Sequence, residues 1–114
     1  MLFTGNFYKY TGHGRLDITV KSALPIDKVF TPTWDIVMGF KNDKITWQQY
    51  IDRYMSMLYT AYNNNQLRFQ KLAMDANKGD IVLVCYCYNV NKCHRLLLAH
   101  FMAENFEVDY GGEI

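Results

Sequence analysis

The sequence predicts an α/β fold, a small three-layer sandwich in which a mainly parallel central sheet is flanked by helices. Two observations carry this expectation. DIVLVCYCY, residues 80–88, is an unbroken apolar run bounded by turn residues. A strand without alternation is usually buried on both faces, as at the centre of a parallel sheet. Helical apolar patterns stand before and after that run, over 46–76 and 94–106, so helices are available on both sides of the strand. A chain of 114 residues can bury one substantial core, and 1–114 reads as a single α/β domain.

The elements follow in order. MLFTGNFY is a first strand, with Gly5 marking a bulge or a close approach of backbone. TGHGR, residues 11–15, is a turn because two glycines flank a histidine. LDITVKS then alternates, with Leu16, Ile18 and Val20 on one face and Asp17, Thr19 and Lys21 on the other, as a strand does. Pro25 and Pro32 punctuate a less regular stretch, and TPTWD predicts a short helix from about Thr33. The clearest helix begins at Thr46, where Thr46 and Gln49 have capping-box spacing. Trp47, Tyr50, Ile51, Tyr54, Leu58 and Ala61 form its apolar face, and the asparagines at 63–65 end it. A further helix carries Leu67, Leu72, Ala73 and Ala76 and closes at Lys78-Gly79. After the central strand, HRLLLAHFMAENF is a last helix and EVDYGGEI an edge strand.

Composition narrows the function classes. The net charge of +1 gives no electrostatic case for a nucleic-acid or anionic-membrane partner. No apolar run approaches the roughly 18 residues that a bilayer requires. MLFTGNFYKY has neither the basic start nor the long apolar run of a signal peptide. With an odd count of three cysteines, this predicts a cytoplasmic protein with reduced thiols. Nothing in the sequence speaks against a homo-oligomer. Nine tyrosines are the outlier, serving cores but also binding clefts, where a flat face with a polar tip is useful.

The chemistry concentrates in YNVNKCHR, residues 88–95, which follows the central strand. Ligands of open α/β sheets bind outside the carboxyl ends of the strands. Here a helix begins at Cys93 or His94, and its free first-turn N–H groups favour phosphate or carboxylate. Lys92, His94 and Arg95 crowd that positive helix end, a placement costing roughly 0.3–1 kcal/mol per cation. A bound anion would reverse the sign of that cost, which makes Asn89, Asn91, Lys92, Cys93, His94 and Arg95 candidate ligand-binding residues. The competing reading is a solvated Arg95 and a His94 that satisfies a carbonyl.

Cys85 and Cys87 stand two apart on the strand and project from one face. Cys93, at a helix start among cations, is the thiol expected to be activated. CxC followed by CH matches zinc-site spacing poorly, so no metal is expected, and no cofactor. Phosphatase and rhodanese-type loops run from cysteine through five residues to arginine, whereas seven separate Cys87 from Arg95.

IVLVCYCYNVNKCHRLLLAHF resembles the signature of the family called domain of unknown function 488. Cys85 matches its strand cysteine, and Cys93, His94 and Arg95 match its Cys-His-Arg. TGNFYKY resembles the first strand of that family, ITVKS the second, and FTPTWDIVMGFKNDKITWQQYIDRYMSML the middle segment of the small versions found in bacteria and their phages. The chain departs at Cys87, where many members carry an acidic residue. The resemblance implies the fold and the site but no reaction.

These features predict a binding protein for a phosphorylated small molecule of nucleotide type, such as a phage sponge for host immune nucleotides. Asn89 to Arg95 would hold the phosphate, while Phe7, Tyr8 and Trp34 stack on the base. The alternatives are an enzyme acting on a nucleotide linkage, with His94 and Cys93 catalytic, and a thiol-dependent transferase using Cys93. Because Cys87 takes the place of the loop carboxylate, any general base must come from elsewhere, with Asp17, Asp27 and Asp35 as candidates.

Overall fold

A computed structural model describes residues 1–114. Four strands form one sheet in the order β2-β3-β1-β4: β1 is Leu2–Asn6, β2 Arg15–Asp17, β3 Ile81–Cys85 and β4 Tyr110–Glu113. Every pairing is parallel, with Leu2 to Asn6 opposite Ile81 to Cys85 and Arg15 to Asp17 opposite Val82 to Val84. The helices are α1 (Trp34–Lys41), α2 (Trp47–Asn64), α3 (Gln66–Lys78) and α4 (His94–Asn105), with short 3₁₀ turns at Pro25–Phe30 and Val90–Lys92. Together they flank the sheet in a three-layer α/β sandwich. No helix is long and apolar enough to cross a membrane.

Val82, Leu83, Val84 and Cys85 are all buried, as their unbroken apolar run requires. The core joins Leu2 and Leu83 of the sheet to Tyr54 and Leu58 of α2, Phe69 and Leu72 of α3, and Leu98, Phe101 and Met102 of α4. Phe69 meets the rings of Phe30, Tyr62 and Phe101 at centroid distances of 4.9, 5.6 and 5.8 Å, all edge to face. Tyr54 is fully buried, and its hydroxyl donates to the Phe30 carbonyl at 2.7 Å.

Local sequence decides several boundaries. Thr46 Oγ1 accepts from Gln49 N at 3.1 Å while Gln49 Oε1 accepts from Thr46 N at 2.8 Å, so the capping box starts α2. Thr46→Ala is expected to cost about 1 kcal/mol in urea denaturation, with no change in the core. A loss below a few tenths would show the box to be redundant. Gly14, with φ +76°, lies where a Cβ would collide with the Asp80 carbonyl, so only glycine fits the turn before β2. Gly5 is a close approach, since a Cβ there would come 3.1 Å from Val82 Cγ1.

Three expectations change. The second strand stops at Asp17 instead of continuing through Lys21, because Asp17 Oδ1 accepts from Thr19 N at 2.9 Å and Thr19 Oγ1 from Ser22 N at 3.0 Å. That side-chain turn competes successfully with the sheet ladder. Leu67 is 82% exposed, and Phe69 takes its expected place in the core. Cys87 lies beyond the end of β3, so it does not share a strand with Cys85.

Candidate functional site

A cleft of about 580 Å³ opens where the carboxyl ends of β1, β2 and β3 meet. Tyr8 comes from the segment after β1, Thr19, Val20 and Lys21 from the segment after β2, and Cys85 to Tyr88 from the end of β3 and its loop. Trp34, Val37, Phe40 and Lys41 of α1 and Tyr50 of α2 form the opposite wall. His94 lies at the base and Lys92 on the rim. The location follows the rule for open parallel sheets.

Aromatic rings order the mouth. Phe7 packs on Tyr86 at 4.6 Å and on Tyr8 at 5.5 Å, and the Arg15 guanidinium covers the Phe7 face at 4.5 Å. Tyr86 OH lies 2.7 Å from Ser22 Oγ, which donates to Asp17 Oδ2 at 2.7 Å. Burial opposes the charge on Asp17, but hydrogen bonds from Thr19 and Ser22 outweigh it and lower its pKa. Asn6 ties two loops together: its Nδ2 donates to the Cys87 carbonyl at 3.1 Å, and its Oδ1 accepts from Tyr8 N and Lys9 N at 2.9 and 3.2 Å. The sequence reading missed Asn6, Tyr86, Lys21 and Lys41. An asparagine among the first strand's letters is the one local signal for Asn6, because such side chains bond backbone N–H groups two or three residues on.

The sulfurs converge at the floor. Cys85 Sγ lies 4.0 Å from Cys87 Sγ and 3.6 Å from His94 Nδ1, and His94 Nε2 lies 2.6 Å from the Ile18 carbonyl oxygen. Cys85 and Cys93 are buried, whereas Cys87 is partly exposed. Hydrogen bonds from Cys85 and Cys93 pull the Cys87 thiol well below its ordinary pKa, aided by the charges of His94 and Arg95. The bond it makes to Cys87 pushes Cys85 up, to about 12, and burial pushes Cys93 up. Burial disfavours a charge on His94, yet interactions with Cys93 and the Ile18 carbonyl raise its pKa.

The residues singled out in the sequence are divided by the fold. Tyr8, Trp34, Lys92 and His94 line the cleft. Phe7 supports Tyr8 and Tyr86 from behind. Asn89 caps the 3₁₀ turn by accepting from Asn91 N at 3.0 Å, and neither asparagine reaches the cleft. Cys93 is 1% exposed and also lies outside the lining, with α4 beginning at the next residue. Arg95 is fully buried and turned towards β4: Nη2 and Nε donate to the Glu113 carboxylate at 2.7 and 3.1 Å, and Nη1 to the Cys87 carbonyl at 2.8 Å. Its counter-charge is internal. Of the candidate carboxylates, Asp27 pairs with Arg68 at 2.6 Å, Asp35 is exposed on α1 outside the cleft lining, and Asp17 reaches the cleft residue Tyr86 through Ser22 Oγ. A second depression of about 740 Å³, beside Ile26 and 63–71, is open and holds no thiol or histidine.

The family model described as the active DUF488-N3 subclade matches residues 26–106, which include α1 to α4, β3 and the cysteine loop. No curated protein and no solved structure matches. The matched stretch spans most of the chain and contains the sulfur-lined floor of the cleft, and on this match the chain belongs to the DUF488 family.

Proposed function

We propose that the protein is a thiol-dependent enzyme acting on a small molecule that carries a flat ring and a phosphate, a nucleotide derivative in class. One observation carries this reading: Cys87 is the thiol with solvent access, and it stands at the floor of a cleft walled by aromatic rings. Tyr8, Trp34 and Tyr88 offer ring faces for a base. Lys21, Lys41 and Lys92 offer ammonium groups to the phosphate, a role that Arg95, held by Glu113, does not fill. The description of the matched subclade as active agrees with catalysis.

In this reading Cys87 replaces Cys93 as the nucleophile, because Cys93 is enclosed behind it. The Cys87 sulfur donates an electron pair to the electrophilic carbon of the substrate, and the bond to the leaving group breaks with its own pair. Water or an acceptor then attacks the same carbon and frees the sulfur. Burying the other thiols and His94 beneath Cys87 keeps the floor dry and shaped.

Incubating the protein with a nucleotide panel and separating the products tests the assignment. Turnover is expected for at least one member, and Cys87→Ser is expected to lower it by about 10³-fold or more with the fold intact. Bound substrate should also protect Cys87 from iodoacetamide. Equal turnover in Cys87→Ser would remove the nucleophile. Ligand captured tightly and recovered unchanged would instead favour a storage protein, of the kind a phage would use to sequester a host immune nucleotide.

A further inference from the structure

We propose that Cys85, Cys93 and His94, with Cys87 as the fourth ligand, form a Cys₃His site for zinc. The proposal goes beyond the reaction assigned to the cleft and stands on different observations, and because a Cys87 bound to zinc is not free to attack carbon, the zinc-loaded protein and the one that turns over substrate are different states. The ligand atoms of Cys85, Cys93 and His94 all lie within 4.8 Å of one another, and all three residues are buried. A tetrahedral zinc with Zn–S of about 2.3 Å and Zn–N of about 2.0–2.1 Å places its sulfurs about 3.8 Å apart and each sulfur about 3.6 Å from the nitrogen. The Cys85–Cys87 sulfur separation is 4.0 Å and the Cys85 Sγ to His94 Nδ1 distance 3.6 Å. Those two edges need shifts of no more than a few tenths of an ångström, while Cys87, which stands outside the cluster of three, must move inward with its loop to complete the tetrahedron.

The histidine is oriented as a metal ligand is. Its Nε2–H donates to the Ile18 carbonyl at 2.6 Å, so in the neutral imidazole, the form a metal binds, the lone pair of Nδ1 faces the sulfurs. A ligating imidazole is commonly fixed in this way, with its other nitrogen donating to a carbonyl or carboxylate. The donor set of thiolates and imidazole, without a carboxylate, suits zinc and excludes magnesium or calcium. Three thiolates and one Zn²⁺ carry a net charge of −1, and the Arg95 guanidinium lies alongside, donating to the Cys87 carbonyl at 2.8 Å. Binding releases the protons of whichever thiols are not already ionised to solvent.

The spacing argument against zinc loses its force in three dimensions. CxC starts at the last residue of β3 and CH at the cap of α4, and the loop between them, with its 3₁₀ turn Val90–Lys92, folds back so that the cysteines and His94 approach one another. Packed sulfurs in a dry core are an ordinary alternative, since buried free cysteine behaves as a small hydrophobe. That alternative explains the burial of Cys85 and Cys93 and, through the Cys85–His94 hydrogen bond at 3.6 Å, the direction of Nδ1 as well, so metal content is what separates the two.

Elemental analysis and cobalt substitution decide between them. Wild-type protein purified under reducing conditions with zinc supplied is expected to hold one zinc per chain. Cobalt(II) exchanged into it should show sulfur-to-cobalt charge transfer and the strong visible absorption of tetrahedral coordination. Cys87→Ser, altered at the partly exposed ligand, should keep its fold, weaken zinc binding at least tenfold and lose part of the charge-transfer band. Cys93→Ser should abolish both. Three freely titrating thiols in native wild type, unchanged by added zinc, would overturn the proposal. That result would leave the cleft reaction standing if turnover still depended on Cys87. Stoichiometric zinc without turnover would have the opposite meaning.

Discussion

Arg95→Ala is expected to lower the stability of the protein by about 3–5 kcal/mol, measured as a shift of the urea midpoint. The guanidinium is fully buried, and its partner Glu113 is itself only 30% exposed along the side chain. Removing Arg95 strands that carboxylate and also leaves the Cys87 carbonyl without its donor at 2.8 Å. Such losses exceed those of surface ion pairs, whose contribution is about 0–1 kcal/mol. Glu113→Gln should cost less, because an amide still accepts from the guanidinium. Since Glu113 lies in β4 and Cys87 in the loop after β3, the same arginine holds the edge strand to the site. A loss under 1 kcal/mol in Arg95→Ala would show that the pair is replaced by solvent at little cost.

Phe69→Ala is expected to destabilise the fold by about 3–5 kcal/mol, the range for truncating a buried aromatic ring. Phe69 is fully buried and touches rings from the Pro25–Phe30 turn, α2 and α4. The resulting cavity would lie among elements that are separately anchored, which limits their collapse into it. Phe69→Leu should recover more than half of the loss. The cleft is lined by other residues, so ligand binding at temperatures well below unfolding should change little in either variant. Loss of binding in parallel with stability would show that the core and the cleft move together.

The family match and the ion pair of Arg95 separate along the chain. The DUF488-N3 match ends at residue 106, before β4 begins at Tyr110, yet Arg95 depends on a carboxylate from β4. An acidic partner for the Cys-His-Arg arginine is thus supplied from outside the matched stretch.

Much of this architecture is determined by local sequence. An unbroken IVLVC run can satisfy its apolar surface only with cover on both faces, so it specifies a central parallel strand. Thr46 and Gln49 start α2 through bonds that span three residues, and Gly79 ends α3 by the same local logic. The place of the cleft was legible too, because it opens at the carboxyl ends of the parallel strands, where such sheets leave a crevice. The roles within it were not. Two cations at a helix start imply a counter-charge but do not say whether a ligand or the chain provides it; for Arg95 it is Glu113, 18 residues away on an edge strand. Three thiols are equivalent as letters, and burial alone distinguishes Cys87 from Cys85 and Cys93. Leu67 and Phe69 both suit an apolar helical stripe, and only the packing of neighbouring rings turns Phe69 inward. Periodicity and capping act over three or four residues and can be read from the chain. Ion pairing, exposure and the convergence of sulfurs depend on segments that meet only after the sheet has formed, so tertiary structure decided them.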